Sequence, residues 1–133
     1  MEFITDLIAA WNAHDVERLA SLYTPDYEET DVGQADPQRG RESIRRTATR
    51  YLRAFPDLQV TLNEVVIDGD RAALAWTWCG THRGTMLNIP PTGRHVTVRG
   101  TSFLTFEDGL IRRGLRVWDM AGLLRSIGLL PEL

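Results

Sequence analysis

The hydrophobic pattern of this chain changes period once, at Pro56-Asp57, and that change limits the folds open to it. Before it, apolar residues recur every three or four positions. Phe3, Leu7, Ile8 and Trp11 predict an amphipathic helix over 2–13. Asp15 is set to cap a second helix over 16–23, with Val16, Leu19, Leu22 and Tyr23 inward. Thr24-Pro25-Asp26 reads as a turn, 27–30 as a short strand and 31–40 as a polar loop. A third helix is expected over 40–55, with Ile44, Ala48, Tyr51, Leu52 and Phe55 on its apolar face. After Pro56-Asp57 the period is two, and strands are expected over 58–68, 71–83, 95–106 and 110–118. Gly69-Asp70 and Asp108-Gly109 are hairpin signals, and 84–94 is a longer loop. A last helix over 120–127 is ended by Gly128, and Pro131 blocks its continuation. Helices followed by a meander of long strands give an α+β fold. The expected architecture is a cone-shaped, curved antiparallel sheet wrapped over the N-terminal helices, which leaves a cavity inside.

The length of 133 residues fits one domain over 1–133, able to bury roughly two thirds of its unfolded surface. A net charge of -3 gives no basic footprint for nucleic acid. All 15 basic residues are Arg, so no Schiff base can form on this chain. Cys79 is the single cysteine and sits in an apolar run, as a small buried side chain does. No intrachain disulfide is possible, and the start of the chain lacks a signal-peptide pattern, so a cytoplasmic setting is expected. No run has the length of a membrane span.

Alternation along the last strand puts Ile111, Leu115, Val117 and Asp119 on one face and Arg112, Arg116 and Trp118 on the other. Asp119 then admits two readings. On a core-facing row its carboxyl is costly to ionise and suited to moving a proton at neutral pH. Alternatively, it caps the helix that begins at Met120. On the strand 71–83, Ala72, Leu74, Trp76, Trp78, Gly80 and His82 share a face. Trp76 and Trp78 are either the wall of a cavity for a flat ligand or core packing. His82 beside them is either a reactive group or a side chain held by a structural hydrogen bond. Tyr23, Tyr27 and Tyr51 come from different elements and either offer hydroxyls at a pocket or reach solvent; Trp11 joins them or the core. Asp15 beside His14 is read as a cap. The six Arg residues of 39–53 read as a solvated face. The three histidines lack the spacing of a metal site, and His95 falls on a polar, solvent-facing row with Thr97, Arg99 and Thr101. Trp118, on the outer face by this parity, points to a homodimer surface.

The segments Trp11-Asn12-Ala13-His14-Asp15, Phe55-Pro56-Asp57-Leu58, Gly80-Thr81-His82-Arg83-Gly84, Pro90-Pro91-Thr92-Gly93-Arg94 and Trp118-Asp119-Met120-Ala121-Gly122-Leu123-Leu124 resemble the SnoaL-like polyketide cyclases of the nuclear-transport-factor-2-like superfamily. The resemblance runs over nearly the whole chain. It implies closure of a ring of an aromatic polyketide ester by intramolecular aldol addition, without metal or cofactor. It also implies an acidic general acid/base near the end of the last strand, where Asp119 is the matching position. His82 as its partner rests on facing alone. The expected function is thus a cofactor-independent cyclase acting on a polycyclic, apolar small molecule. Trp11, Tyr23, Tyr27, Tyr51, Trp76 and Trp78 would bind it. Relatives of the same fold act in hydroxylation, isomerisation and epoxide opening, so a hydrolase, hydroxylase accessory or isomerase stands as the alternative. A non-catalytic binding module is the third reading.

Overall fold

The computed structural model describes residues 2–131; residues 1, 132 and 133, the outermost of the expected domain, lie outside it. The elements run α1 (Glu2–Asn12), α2 (Val16–Ala20), β1 (Tyr23–Asp31), β2 (Gln38–Arg39), α3 (Gly40–Ala54), β3 (Gln59–Asp68), β4 (Arg71–Thr81), β5 (His95–Glu107), β6 (Leu110–Trp118) and α4 (Met120–Ser126). They form the α+β architecture expected from the period change. Six strands lie in one sheet, in the order β2-β1-β6-β5-β4-β3. The sheet is mixed, because β1 runs parallel to β6. The hairpins turn where expected, with Gly69, Asp108 and Gly109 all at positive φ.

Three local differences from the sequence reading have physical causes. The second helix stops at Ala20, so Tyr23 begins a strand rather than ending a helix. That strand runs straight through the expected turn: Pro25 has no N–H to give a ladder, so pairing with β6 lapses between Tyr23 and Glu28 and then resumes. It also continues one residue past Thr30, which makes Asp31 a buried strand residue rather than part of a polar loop.

The third difference matters most. Thr105 pairs with Arg113, but Phe106 pairs with Ile111, so Arg112 is one residue too many on β6. This bulge reverses the alternation beyond it. Ile111 faces inward as expected, but then Gly114, Arg116 and Trp118 face inward, while Leu115 (38% exposed) and Val117 (41% exposed) face outward. The expected apolar row ending at Asp119 is therefore not formed.

The break between α1 and α2 is tied to the edge strand β3. Asn12 exchanges two hydrogen bonds with Val60, at 2.9 and 2.6 Å, and His14 Nε2 donates to the Leu58 carbonyl at 2.7 Å. His14 turns the chain with φ of 55°, and Asp15 caps α2 by accepting from the Arg18 N–H at 3.0 Å. The edge of the sheet is thereby covered. Two apolar clusters fill the concave side. One gathers Ile4, Leu7, Leu19, Ile44 and Leu104, the other Phe55, Leu58, Val96, Val98 and Leu123. Trp11 and Trp76 pack against both.

Candidate functional site

A cavity opens where the two clusters meet, with about 90 Å³ reachable by the centre of a water molecule. That is room for about three waters at the roughly 30 Å³ each takes in the liquid. Its lining includes all four tryptophans of the chain (Trp11, Trp76, Trp78 and Trp118) and all three tyrosines (Tyr23, Tyr27 and Tyr51). The six residues expected to bind a ligand are thus brought together around one space. Their rings pin one another edge to face. Tyr51 lies 5.7 Å from Trp78 and 6.5 Å from Trp11, and Tyr23 lies 4.6 Å from Tyr27.

The polar groups of the cavity come from β1 and β6. After the β6 bulge, register sets Glu29 opposite Gly114 and Asp31 opposite Arg116. The Arg116 side chain is 15% exposed, and Nη2 reaches Glu29 Oε1 at 3.0 Å. Nη1 is 3.9 Å from Asp31 Oδ2. Asp31 Oδ1 accepts from the Trp118 indole N–H at 2.9 Å and from the Gly33 N–H at 2.8 Å. Tyr27 donates its hydroxyl to Glu29, and Gly114 leaves the space in which that hydroxyl sits. Arg116 donates to the Tyr51 oxygen, which leaves the Tyr51 proton free to donate elsewhere.

Electrostatics follow from this packing. Burial pushes the hydroxyl pKa of Tyr23 up, and Glu29 adds to it against Arg116. Tyr27 moves the same way, first by burial and then by Glu29. Tyr51 is also raised, again mainly by burial. Burial opposes the charge on Arg116, but Glu29 and the tyrosines outweigh it and hold the guanidinium protonated. The site is therefore a carboxylate held beside a fixed cation, with protonated phenols around it and aromatic walls above.

The two residues expected to be catalytic lie elsewhere. Asp119 is exposed, does not line the cavity, and caps α4 through the Gly122 N–H at 2.8 Å. The bulge at Arg112 is what turned it outward, so its expected core-facing placement is corrected. His82 is fully buried, as its row required, but behind Phe55 rather than in the cavity. Its Nδ1 accepts from the Thr92 N–H at 3.2 Å and lies 3.0 Å from Thr92 Oγ1. Two of the segments that carried the family resemblance thus fasten one another. Trp118 lines the cavity, so its expected placement on the outer sheet face is corrected. His95 is exposed, on the solvent-facing row expected for it. Among the described residues, no group of three or more His, Cys, Asp or Glu side chains is placed to hold a metal. No described helix is long and apolar enough to cross a membrane.

The sequence reading gives no site role to Glu29, Asp31, Ser102 or Arg116, and gives Trp118 only that of a dimer surface. A signal for the acids existed: Tyr27, Glu29 and Asp31 alternate, and one more strand residue would have put both carboxylates beside the tyrosine. For Arg116 the signal was Gly114, since a glycine inside a strand marks a bulge or a close approach.

A sheet of this order, folded over helices around a buried polar floor, defines the cone-shaped α+β class of ketosteroid isomerase-like and nuclear-transport-factor-2-like proteins. The chain belongs to the SnoaL-like polyketide cyclase family, whose model matches residues 2–127. TsrD from Streptomyces laurentii is 30% identical with a TM-score of 0.88, covering 97% of this chain and 94% of its own. AclR from Streptomyces galilaeus, provisionally assigned as a hydroxylase, is 28% identical with a TM-score of 0.89, covering 99% and 86%. IdmH from Streptomyces antibioticus, provisionally assigned as a polyketide cyclase, is 27% identical with a TM-score of 0.82, covering 96% of both chains. A search of the curated proteins gives no match.

Proposed function

We infer that this protein is a cyclase that closes a ring in a polycyclic, polyketide-like molecule by proton transfer alone, and that Glu29 moves the proton. The observation that carries this reading is the Glu29–Arg116 pair at 3.0 Å on the floor of an aromatic cavity. Arg116 holds the Glu29 side chain in place to accept a proton. Glu29 takes a proton from a carbon flanked by carbonyls, and the electron pair moves onto a carbonyl oxygen as an enolate. Tyr51, with its proton free, donates to that oxygen. The enolate carbon attacks a second carbonyl of the same molecule, forming the C–C bond and an alkoxide. The alkoxide recovers the proton from Glu29. Nothing is lost or gained, so the reaction needs no metal or redox group. The tryptophans hold the reacting chain folded, which lowers the entropic part of the barrier.

The test is incubation with aromatic β-keto esters in water and in D₂O. A product of unchanged mass in water is expected, with enzyme-dependent deuterium exchange in D₂O at the attacking carbon of recovered substrate. A second reading has its own support: Arg116 lies between two carboxylates, Glu29 and Asp31, which could hold a water, and AclR carries a hydroxylase assignment. Oxygen from labelled water appearing in the product would favour it and refute the cyclase. The expected homodimer is kept on other residues than Trp118. Phe103, Leu115 and Val117 are exposed on the outer sheet face, and Phe103 pairs in register with Leu115. Light scattering should give twice the chain mass; a monomer removes this expectation.

A further inference from the structure

We propose that Ser102 is a specificity-determining residue of this cavity, donating its hydroxyl proton to an acceptor oxygen on the edge of the bound ring system. The proposal rests on the ring-binding reading above and deepens it.

The inward row of β5 is Val96, Val98, Gly100, Ser102 and Leu104. One polar side chain stands in a row otherwise without polar side chains, where a lone hydroxyl is costly unless it is bonded. Ser102 lines the cavity and accepts a hydrogen bond from the Trp76 indole N–H at 3.0 Å. Indole can only donate, so Ser102 is the acceptor in this bond and its own proton must turn elsewhere. No described residue accepts that proton. The hydroxyl cannot turn freely to suit the ligand, because Trp76 fixes it. The Trp76 ring lies across Gly100, its register partner on β5, in the space a side chain there would fill. Register also makes Ser102 the direct neighbour of Arg116 on β6. Opposite residues on a sheet face hold their Cβ atoms about 5 Å apart. An oxygen bound between these two strands therefore meets a donor on each side: Ser102 on one, Arg116 with its bonded Tyr51 on the other. The ligand class that fits is a fused ring bearing a carbonyl or phenolic oxygen at the edge that stacks on Trp76.

The experiment compares two bicyclic probes of nearly equal shape, 1-tetralone and tetralin, which differ by one carbonyl. All four tryptophans line the cavity, so intrinsic fluorescence reads binding there. Wild type should bind tetralone more tightly. Ser102→Ala should cut that preference by about fivefold to tenfold, the worth of one neutral hydrogen bond, and Ser102→Thr should restore it. If Ser102→Ala weakens both probes equally, Ser102 merely anchors Trp76 and the proposal is overturned. Equal binding of both probes by wild type overturns it too, while the ring-binding reading survives. If wild type binds neither probe, the ring-binding reading falls and takes the proposal with it.

Discussion

Two single substitutions separate the residue that the family relation points to from the residue that the geometry points to. Glu29→Gln keeps the shape of the side chain and removes its charge. The Glu29 carboxylate is 7% exposed and lies 3.0 Å from Arg116; at an effective dielectric of about 20 that contact carries a gross attraction of about 5 kcal/mol. Most of it is offset by desolvation. Deleting one partner of a buried pair costs about 3–5 kcal/mol, but the amide keeps an acceptor oxygen for Nη2, and Asp31 remains 3.9 Å from Nη1. A loss of about 1–3 kcal/mol in stability is expected, which leaves the protein folded. Turnover should fall about 10²- to 10⁴-fold, the usual worth of a general base, or about 3–5 kcal/mol of barrier. Asp119→Asn is the control. Asn caps a helix as well as Asp does, and the site is exposed, so stability should stay within about 0.5 kcal/mol and turnover within about twofold. Thermal melts and initial rates on one β-keto ester settle both. Folded Asp119→Asn without turnover, beside active Glu29→Gln, would refute the assignment of the site.

Three further outcomes are expected. All three tyrosines line the cavity with raised hydroxyl pKa values, so their contribution to stability is complete below pH about 10 and is lost as pH rises above it. Tyrosinate absorbance should then develop together with unfolding; a titration near 10 in the folded protein would show the hydroxyls to be solvated. Asp57 accepts from the Thr81 N–H at 2.7 Å and the Thr81 hydroxyl at 2.8 Å, and these bonds, the backbone one first, hold its pKa below the usual range. Its stabilisation is present above pH about 4 and is lost as pH falls toward the lower folded value, so Asp57→Asn should flatten the acid limb of a melting-temperature profile. Gly100→Ala drives a methyl group into the Trp76 ring and should cost about 1–3 kcal/mol, with a shift in tryptophan emission; an unchanged melt and spectrum would mean the ring is not seated there.

The helices, the long strands and the aromatic lining were legible because each follows from a strict period. Trp76 and Trp78 share a row by simple alternation, and α3 shows its stripe of Ile44, Ala48 and Tyr51. The polar floor was not legible for two reasons. Counting from Ile111 by twos gives the wrong half of β6, since nothing in a count of alternate residues registers an extra one. A proline and two acids also made β1 look like turn and loop, because the sequence does not show that Arg116 waits on the neighbouring strand to neutralise Glu29. Buried charge is readable from sequence only when both partners are known to meet, and this pair is 87 positions apart.

Arg112, the surplus residue of β6, gives the strand beyond it two possible liveries. With it, the chain shows the interior an arginine and an indole. Were Arg112 instead taken into the ladder as an ordinary strand residue, the residues beyond it would show leucine, valine and the carboxylate of Asp119, and the guanidinium would stand in water. One irregular step in the pairing thus separates two chemically different floors on an unchanged sequence. The identity of the reactive group is therefore set by how one residue is seated in the ladder, with no side chain that does the chemistry altered.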